Sequence, residues 1–351
     1  NWGLASQVNE QSYTLVAGQE NPRTHIRGHV LQLNIKAPIR DPARYYLYHE
    51  VVEQIHQQGG LSGYAHVRDK YGFGAATGLA VDVPYGLVDF VEVLQFGQAE
   101  LGLWFDFLNL GYKLPPAAGT DYAPLVPGFP GDVRTYVKLK GDYSPQKWFD
   151  GLKAGRTFIT NGPMLKFTVN GQNIGSQLRV SKGDKLLVDI KAFINPAIDE
   201  LEKIELYQFG KIVASRKSTN EETHELTLQH SLTADQGSWL VVRALGKHQV
   251  AGQSIVAVSA PIYVSVDGSG SCHPEEVPSL VAKQKALLHQ LAKAGMEEDK
   301  SSLTEERLKA VRQQYWAANM SELKPRISGA LGRNDELVHL AKTGGCITHA
   351  K

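Results

Sequence analysis

Val30-Leu-Gln-Leu-Asn-Ile35 alternates apolar and polar residues, which is the pattern of a strand with one buried face. Apolar side chains then recur at helical spacing between Pro42 and Gln58, and the pair Gly59-Gly60 ends the predicted helix. A second strand-like run, Leu61-Ser-Gly-Tyr-Ala-His66, follows directly. The stretch therefore predicts a strand, a helix and another strand in succession.

The same alternation continues to about residue 164. Further strands are predicted at 88–94, 117–121, 134–139 and 157–160, with helices at 98–110 and 145–154 between them. Repeated strand-then-helix units favour a largely parallel sheet or barrel. We therefore expect residues 1–164 to form an α/β domain.

The pattern changes after Pro163. Short strand-like runs separated by turn residues fill residues 165–267, and Asn170-Gly171 is a strong type I′ hairpin signal. These features predict a β-sandwich of the immunoglobulin-like type. Gly268-Ser-Gly-Ser-Cys-His-Pro274 reads as a linker, and helical spacing beyond it predicts a helical C-terminal region over 268–351.

Composition narrows the class of protein. The chain has 351 residues, 42% of them hydrophobic, and a formal net charge of +1. That charge balance provides no long-range attraction to nucleic acid or to an anionic membrane. No apolar run reaches the roughly 20 residues that span a bilayer. The two cysteines, Cys272 and Cys346, are too far apart for a C-x-x-C motif, and either a disulfide or two separate thiols is compatible with the sequence.

Four acidic or histidine residues stand next to strand-like runs. Glu20 and His66 end such runs, His29 follows Gly28 at the start of one, and Asp121 ends the short run that begins at Ala117. Taken singly, each has a plain structural interpretation, such as an exposed carboxylate or a hydrogen-bonded histidine. Because barrel enzymes assemble their chemistry at strand ends, the four together predict a divalent metal site with carboxylate and imidazole ligands.

The ordered segments resemble a known superfamily. They are Gly18-Gln-Glu20, Gly28-His29, 57–66, 88–94, Ala118-Gly-Thr-Asp121, 131–137 and 154–163. In this order they are similar to the polymerase-and-histidinol-phosphatase (PHP) superfamily of metal-dependent hydrolases, and most of all to its CehA/McbA-like branch. The resemblance covers about the first half of the chain.

The resemblance carries expectations about fold and chemistry. It implies a distorted seven-stranded β/α barrel of the PHP type, followed by a β-sandwich, with one to three divalent ions such as Zn, Mn or Fe. It implies that Glu20 bridges metal ions and that His29, His66 and Asp121 are ligands. The expected substrate is a small molecule with a phosphoester, carboxylic ester or carbamate bond.

Two departures from the family modify these expectations. The paired His-x-His motif of the family's opening strand does not occur before Glu20, so the barrel is expected to be incomplete at its N-terminus and this chain alone inactive. Tyr122-Ala123 stands where many members have a histidine after the final aspartate.

Outside the ligand set, Arg134 is the candidate for holding an anionic substrate oxygen, with a surface ion pair as its structural alternative. Two other functions remain open for the chain: a non-catalytic binding protein on a decayed barrel, and a carbohydrate-binding surface protein that uses the sandwich. An exported location is slightly favoured, and the oligomeric state is left open.

Overall fold

The computed structural model describes residues 14–68, 74–95, 97–121, 129–221, 223–250, 253–295 and 306–347. Its strands are, in chain order, β1 (Gln19–Thr24), β2 (Gly28–Leu33), β3 (Leu61–Tyr64), β4 (Phe90–Gln95), β5 (Gln98–Ala99), β6 (Pro116–Ala118), β7 (Arg134–Val137), β8 (Thr157–Thr160), β9 (Met164–Val169), β10 (Gln172–Asn173), β11 (Gln177–Val180), β12 (Lys185–Phe193), β13 (Leu201–Gln208), β14 (Lys211–Lys217), β15 (Glu225–Thr233), β16 (Ser238–Val250), β17 (Gln253–Ser259) and β18 (Ile262–Val266). Its α-helices are α1 (Tyr48–Gln57), α2 (Ala75–Asp82), α3 (Gly102–Asn109), α4 (Pro145–Lys153), α5 (Val277–Lys293) and α6 (Glu306–Lys342), with 3₁₀ turns at Pro42–Arg44 and Val83–Tyr85.

The N-terminal sheet is open, and the predicted β/α barrel is wrong. Within the described residues its strands run in the order β1-β2-β3-β4-β5, with β6 also on β4, so the sheet keeps free edges. Strands β1, β2 and β3 pair antiparallel, and the parallel pairs are β3 with β4 and β4 with β6. A closed parallel barrel needs every strand to be hydrogen-bonded on both sides. Most of the predicted strand and helix runs are present, but α2 and β5 were not predicted, Glu20 lies near the start of β1 rather than at a strand end, and the strands pair differently.

Strands β7 and β8 were predicted to belong to the barrel but lie in a different sheet. They pair with each other, and β8 pairs with β17, so both extend the eight-stranded sheet that contains β11, β13, β14, β16 and β18. The four-stranded sheet β10-β9-β12-β15 packs against this sheet around a shared apolar cluster that includes Phe167, Ile190 and Leu240. Asn170 and Gly171 both have positive φ at the β9–β10 hairpin, as the sequence predicts.

The N-terminal sheet is covered on both faces. One face packs against α1, α2 and α3 and against the C-terminal helices α5 and α6, in a cluster that includes Val30, Val91 and Leu323. The other face packs against α4 through Phe90, Phe149 and Leu152. The period-two alternation of β2 accounts for this division, because Val30 is buried on the helix side while His29 and Leu31 lie on the opposite side.

The C-terminal helix is attached within its length and just beyond its end. Within the helix, Asn319 Nδ2 donates to the Ala43 carbonyl at 2.7 Å, and Asn319 Oδ1 accepts from the Tyr46 amide at 3.0 Å. Beyond its end, Cys346 forms a disulfide with Cys272, with a Cα–Cα distance of 5.5 Å. None of the helices in the described segments is long and apolar enough to cross a membrane.

Candidate metal centre

Glu20 and His29 are brought together by a bulge in β1. Glu20 pairs with Leu31 and Arg23 with His29, so β1 contains one more residue than β2 over this interval. Residues three apart on a regular strand point to opposite faces, and the extra residue puts Glu20 and Arg23 on the same face as His29. Glu20 Oε1 consequently lies 2.7 Å from His29 Nδ1 and 3.5 Å from Arg23 Nε.

His66 reaches the same point from the end of β3. The Ala65 amide still donates to the His29 carbonyl at 3.0 Å, and His66 then turns out of the strand with a φ of 38°. Its Nε2 lies 3.0 Å from His29 Nδ1 and 4.0 Å from Glu20 Oε1. A left-handed backbone at a residue other than glycine costs free energy and is found most often at functional sites.

The three donor atoms fit a single divalent ion. One oxygen of Glu20 and one nitrogen each from His29 and His66 all lie within 4.8 Å of one another. With metal–ligand bonds of about 2.0–2.2 Å, neighbouring donors of one ion lie roughly 3.0–3.5 Å apart, which the observed separations bracket. His29 Nδ1 contacts both Glu20 Oε1 and His66 Nε2. Because one ring nitrogen offers only one proton or one lone pair, it cannot form a hydrogen bond with both of them. A carboxylate with two imidazoles suits Zn, Mn or Fe and leaves coordination positions open.

The protonation states of Glu20 and His66 also suit a cation. Burial by itself would raise the pKa of Glu20, but the hydrogen bond from His29 and the charge of Arg23 outweigh it, so this pKa is lowered. Burial, together with the neighbouring His29, lowers the pKa of His66. At neutral pH the carboxylate is therefore ionised and the His66 ring neutral, which are the forms that bind metal.

Glu92 is a site residue that the sequence reasoning missed. It lies on β4 and is 4% exposed, and its Oε2 accepts the His66 backbone amide at 2.7 Å. Burial, reinforced by the nearby charges of Glu20 and Asp121, raises the pKa of Glu92 to about 7. The available signal was a carboxylate inside the apolar run Phe90-Val-Glu-Val-Leu94, where a charge needs a special reason.

Gly119 lies directly against the Glu92 carboxylate. A Cβ added at position 119 would lie 1.7 Å from Glu92 Oε1, so only glycine allows this approach.

Asp121 lies beside the three-residue group but outside it, and Arg134 does not line the adjoining cavity. Asp121 is exposed, has a φ of 47°, and lines the same cavity of about 240 Å³ as Glu20, His66 and Glu92. It is close enough to raise the pKa of both His66 and Glu92 electrostatically. Arg134 is exposed on β7, and the residue of β7 that lines this cavity is its neighbour Thr135.

Apart from Gln95 and Thr135, the rest of the 240 Å³ cavity is apolar. Its walls include Leu31, Phe90, Ala117, Trp148 and Leu152. Polar groups that converge at the edge of an apolar cavity are typical of small-molecule sites.

Comparisons with known proteins provide no family for this chain. No family model matches the sequence, and no curated protein matches it. Solved structures that match include the CARDB domain of a Pyrococcus furiosus protein, determined in complex with di-metal ions. That domain is 13% identical, covers 30% of this chain and 96% of its own length, and aligns with a TM-score of 0.22. A similarity this weak supports no conclusion about fold or function.

Proposed function

We propose that this chain binds a divalent transition-metal ion through Glu20, His29 and His66 and, although the missing His-x-His motif predicts an inactive chain, hydrolyses an ester-type bond in a small molecule with these three donors. The observation that carries the proposal is the convergence of three donor atoms, from β1, β2 and the end of β3, within 4.8 Å. The resemblance to PHP hydrolases is consistent with the chemistry but is independent of this geometry.

The metal and the chain have separate roles in the proposal. When bound, the ion supplies Lewis acidity, which activates water near neutral pH and polarises a substrate oxygen. The chain keeps Glu20 ionised and His66 neutral near neutral pH. Leu31, Phe90 and Trp148 keep the adjoining cavity apolar, which strengthens electrostatic interactions at its edge. Three donors support one ion, so additional ions remain an expectation from the resemblance.

Metal analysis tests the first part of the proposal. The purified chain is stripped with EDTA, reloaded with Zn²⁺ or Mn²⁺, and its metal content is measured after gel filtration. We expect about one equivalent in the wild type, loss of metal in His29→Ala/His66→Ala, and no change in His289→Ala, since His289 is exposed on α5. Wild-type metal content equal to that of the double variant would refute the site.

Hydrolysis assays test the second part. The reloaded protein is assayed with 4-nitrophenyl acetate, 4-nitrophenyl phosphate and bis(4-nitrophenyl) phosphate, with and without EDTA. Turnover that follows metal content across the variants supports a hydrolase. Bound metal without turnover of any of the three would instead support the non-catalytic binding protein.

We also infer an oxidising compartment for the chain. The disulfide between Cys272 and Cys346 supports this inference, because such bonds persist mainly in exported proteins.

A further inference from the structure

A second, larger cavity lies beside the candidate metal centre, and Glu20 belongs to the walls of both. Its volume is about 520 Å³, within the range of small-molecule sites. Its walls come from β1, from the segment before α1, and from α6, which follows some 260 residues later in the chain. The three segments that form this cavity share no sequence motif, so the sequence does not predict it.

Three tyrosines line this cavity, and two of them, Tyr45 and Tyr315, are partly exposed and provide flat surfaces, whereas Tyr46 is only 2% exposed. Tyr45 and Tyr46 come from the segment before α1, and Tyr315 comes from α6. Tyr46 is held in place, because its ring packs edge-on against Trp316 at 4.8 Å between centroids and its Oη accepts from Arg312 Nε at 2.7 Å. Fixed aromatic walls bind planar apolar groups with little loss of side-chain entropy.

Three arginines line the same cavity: Arg23, Arg40 and Arg312. Arg40 is exposed and takes part in no ion pair with another residue of the described segments. The carboxylates in the walls are Glu20 and Asp41. Asp41 is engaged with the backbone amides of Ala43 and Arg44, and Glu20 with the candidate metal centre. The lining of three arginines and two carboxylates has a formal net charge of +1, and the exposed Arg40 suits an oxyanion.

Arg23 connects the cavity to the metal centre. Its Nε lies 3.5 Å from Glu20 Oε1, the oxygen that also approaches His29 and His66. A group held by Arg23 would thus lie next to the candidate metal position.

We propose that this cavity binds an organic oxyanion with a planar ring and presents its ester bond to the metal centre. The ring packs against Tyr45 and Tyr315, and the anionic group is held by Arg40, with Arg312 beside it. This assignment of a substrate class rests on the proposed hydrolase function, whereas the binding of the anion itself does not require the metal.

Helix α6 is positioned well enough to serve as a wall. Besides the two hydrogen bonds of Asn319, its Glu322 forms ion pairs with Arg44, with 2.6 Å between Arg44 Nη1 and Glu322 Oε1. Arg44 also pairs with Glu50 on α1. The helix that carries Arg312 and Tyr315 is thereby fastened to the N-terminal sheet's own helices.

The test measures binding of phenyl phosphate by calorimetry to the full, EDTA-treated chain, with inorganic phosphate and phenol as comparison ligands. We expect phenyl phosphate to bind more tightly than either, because the cavity offers both charge and a flat surface. Arg40→Gln/Arg312→Gln should weaken phenyl phosphate binding roughly ten- to hundredfold. Tyr315→Ala should weaken it while leaving inorganic phosphate unchanged. Lys166→Gln, an exposed cation on β9, should have no effect.

The outcomes test the cavity assignment and the hydrolase proposal separately. Equal binding of phenyl phosphate to the double arginine variant and the wild type would overturn the cavity assignment. Equal binding of inorganic and phenyl phosphate would overturn the role of the ring. Arginine-dependent binding in a chain that never takes up metal would retain the binding site but refute the hydrolase and hence delivery to a metal. Far-UV circular dichroism of every variant excludes unfolding as the cause of lost binding.

Discussion

Glu92→Gln is expected to stabilise the metal-free protein in a pH-dependent manner. Burial raises the pKa of Glu92 from its ordinary value of 4.5 to about 7, so ionising it costs more in the folded than in the unfolded chain. Below about pH 4.5 the carboxyl is neutral in both states and imposes no penalty. As pH rises from there through 7 the penalty grows, and above 7 it is constant.

The magnitude follows from the two pKa values. They differ by about two and a half pH units, each equivalent to about 1.4 kcal/mol, so the full penalty is roughly 3 kcal/mol. Gln has nearly the same shape as the protonated carboxyl, and its side-chain oxygen can still accept the His66 amide. The variant should therefore match the wild type at acidic pH and exceed its stability by up to roughly 3 kcal/mol above pH 7.

The assay is urea unfolding in EDTA at several values between pH 4.5 and 8, followed by fluorescence and circular dichroism. Glu53→Gln on the exposed face of α1 is the matched control and should show no such trend. A stability difference between Glu92→Gln and wild type that stays constant over this range would refute the reasoning.

The remaining predictions concern the disulfide, a buried ion pair and the metal. Reduction of the Cys272–Cys346 disulfide, which joins residues 74 positions apart, should lower the unfolding free energy by up to about 4 kcal/mol. Urea titration with and without dithiothreitol measures this change, and an unchanged midpoint would contradict the prediction. Arg27→Met should lower the unfolding free energy by roughly 3–5 kcal/mol, because Asp82, which Arg27 binds at 2.8 and 2.9 Å, would remain charged and buried without its partner. Adding Asp82→Leu should restore much of the lost stability in thermal melts. If it restores none, the loss is not an ion-pair effect. Zn²⁺ should raise the melting temperature of wild type but not of His66→Ala, and equal shifts would place the metal elsewhere.

Much of the local structure follows from the sequence. The alternation in β2 predicts that His29 shares a face with Leu31 and Leu33, and the helical spacing that ends before Gly59 predicts α1. Asn170-Gly171 predicts its hairpin because both residues tolerate positive φ. These features depend on neighbours within a few residues, which a sequence pattern records directly.

The candidate site was predicted in part. Glu20, His29 and His66 were chosen because strand ends carry chemistry, and the structure brings them together. The β1 bulge that places Glu20 on the same face as His29 was not predicted, because a single extra residue in a strand leaves no distinctive sequence pattern. Glu92 was overlooked, although a carboxylate inside an apolar run was a signal, because the sequence does not show that both faces of this strand are buried.

The sequence does not predict which strands pair or where the C-terminal helix packs. An apolar strand pattern states which face is buried but not which strand lies alongside, so β7 and β8 were assigned to a barrel rather than to the eight-stranded sheet. In the same way, the periodicity of α6 predicts a helix but not that Arg312 and Tyr315 complete a cavity next to Glu20. Residues far apart in sequence meet because the whole core is buried cooperatively, and that free energy belongs to the assembled fold rather than to any one segment.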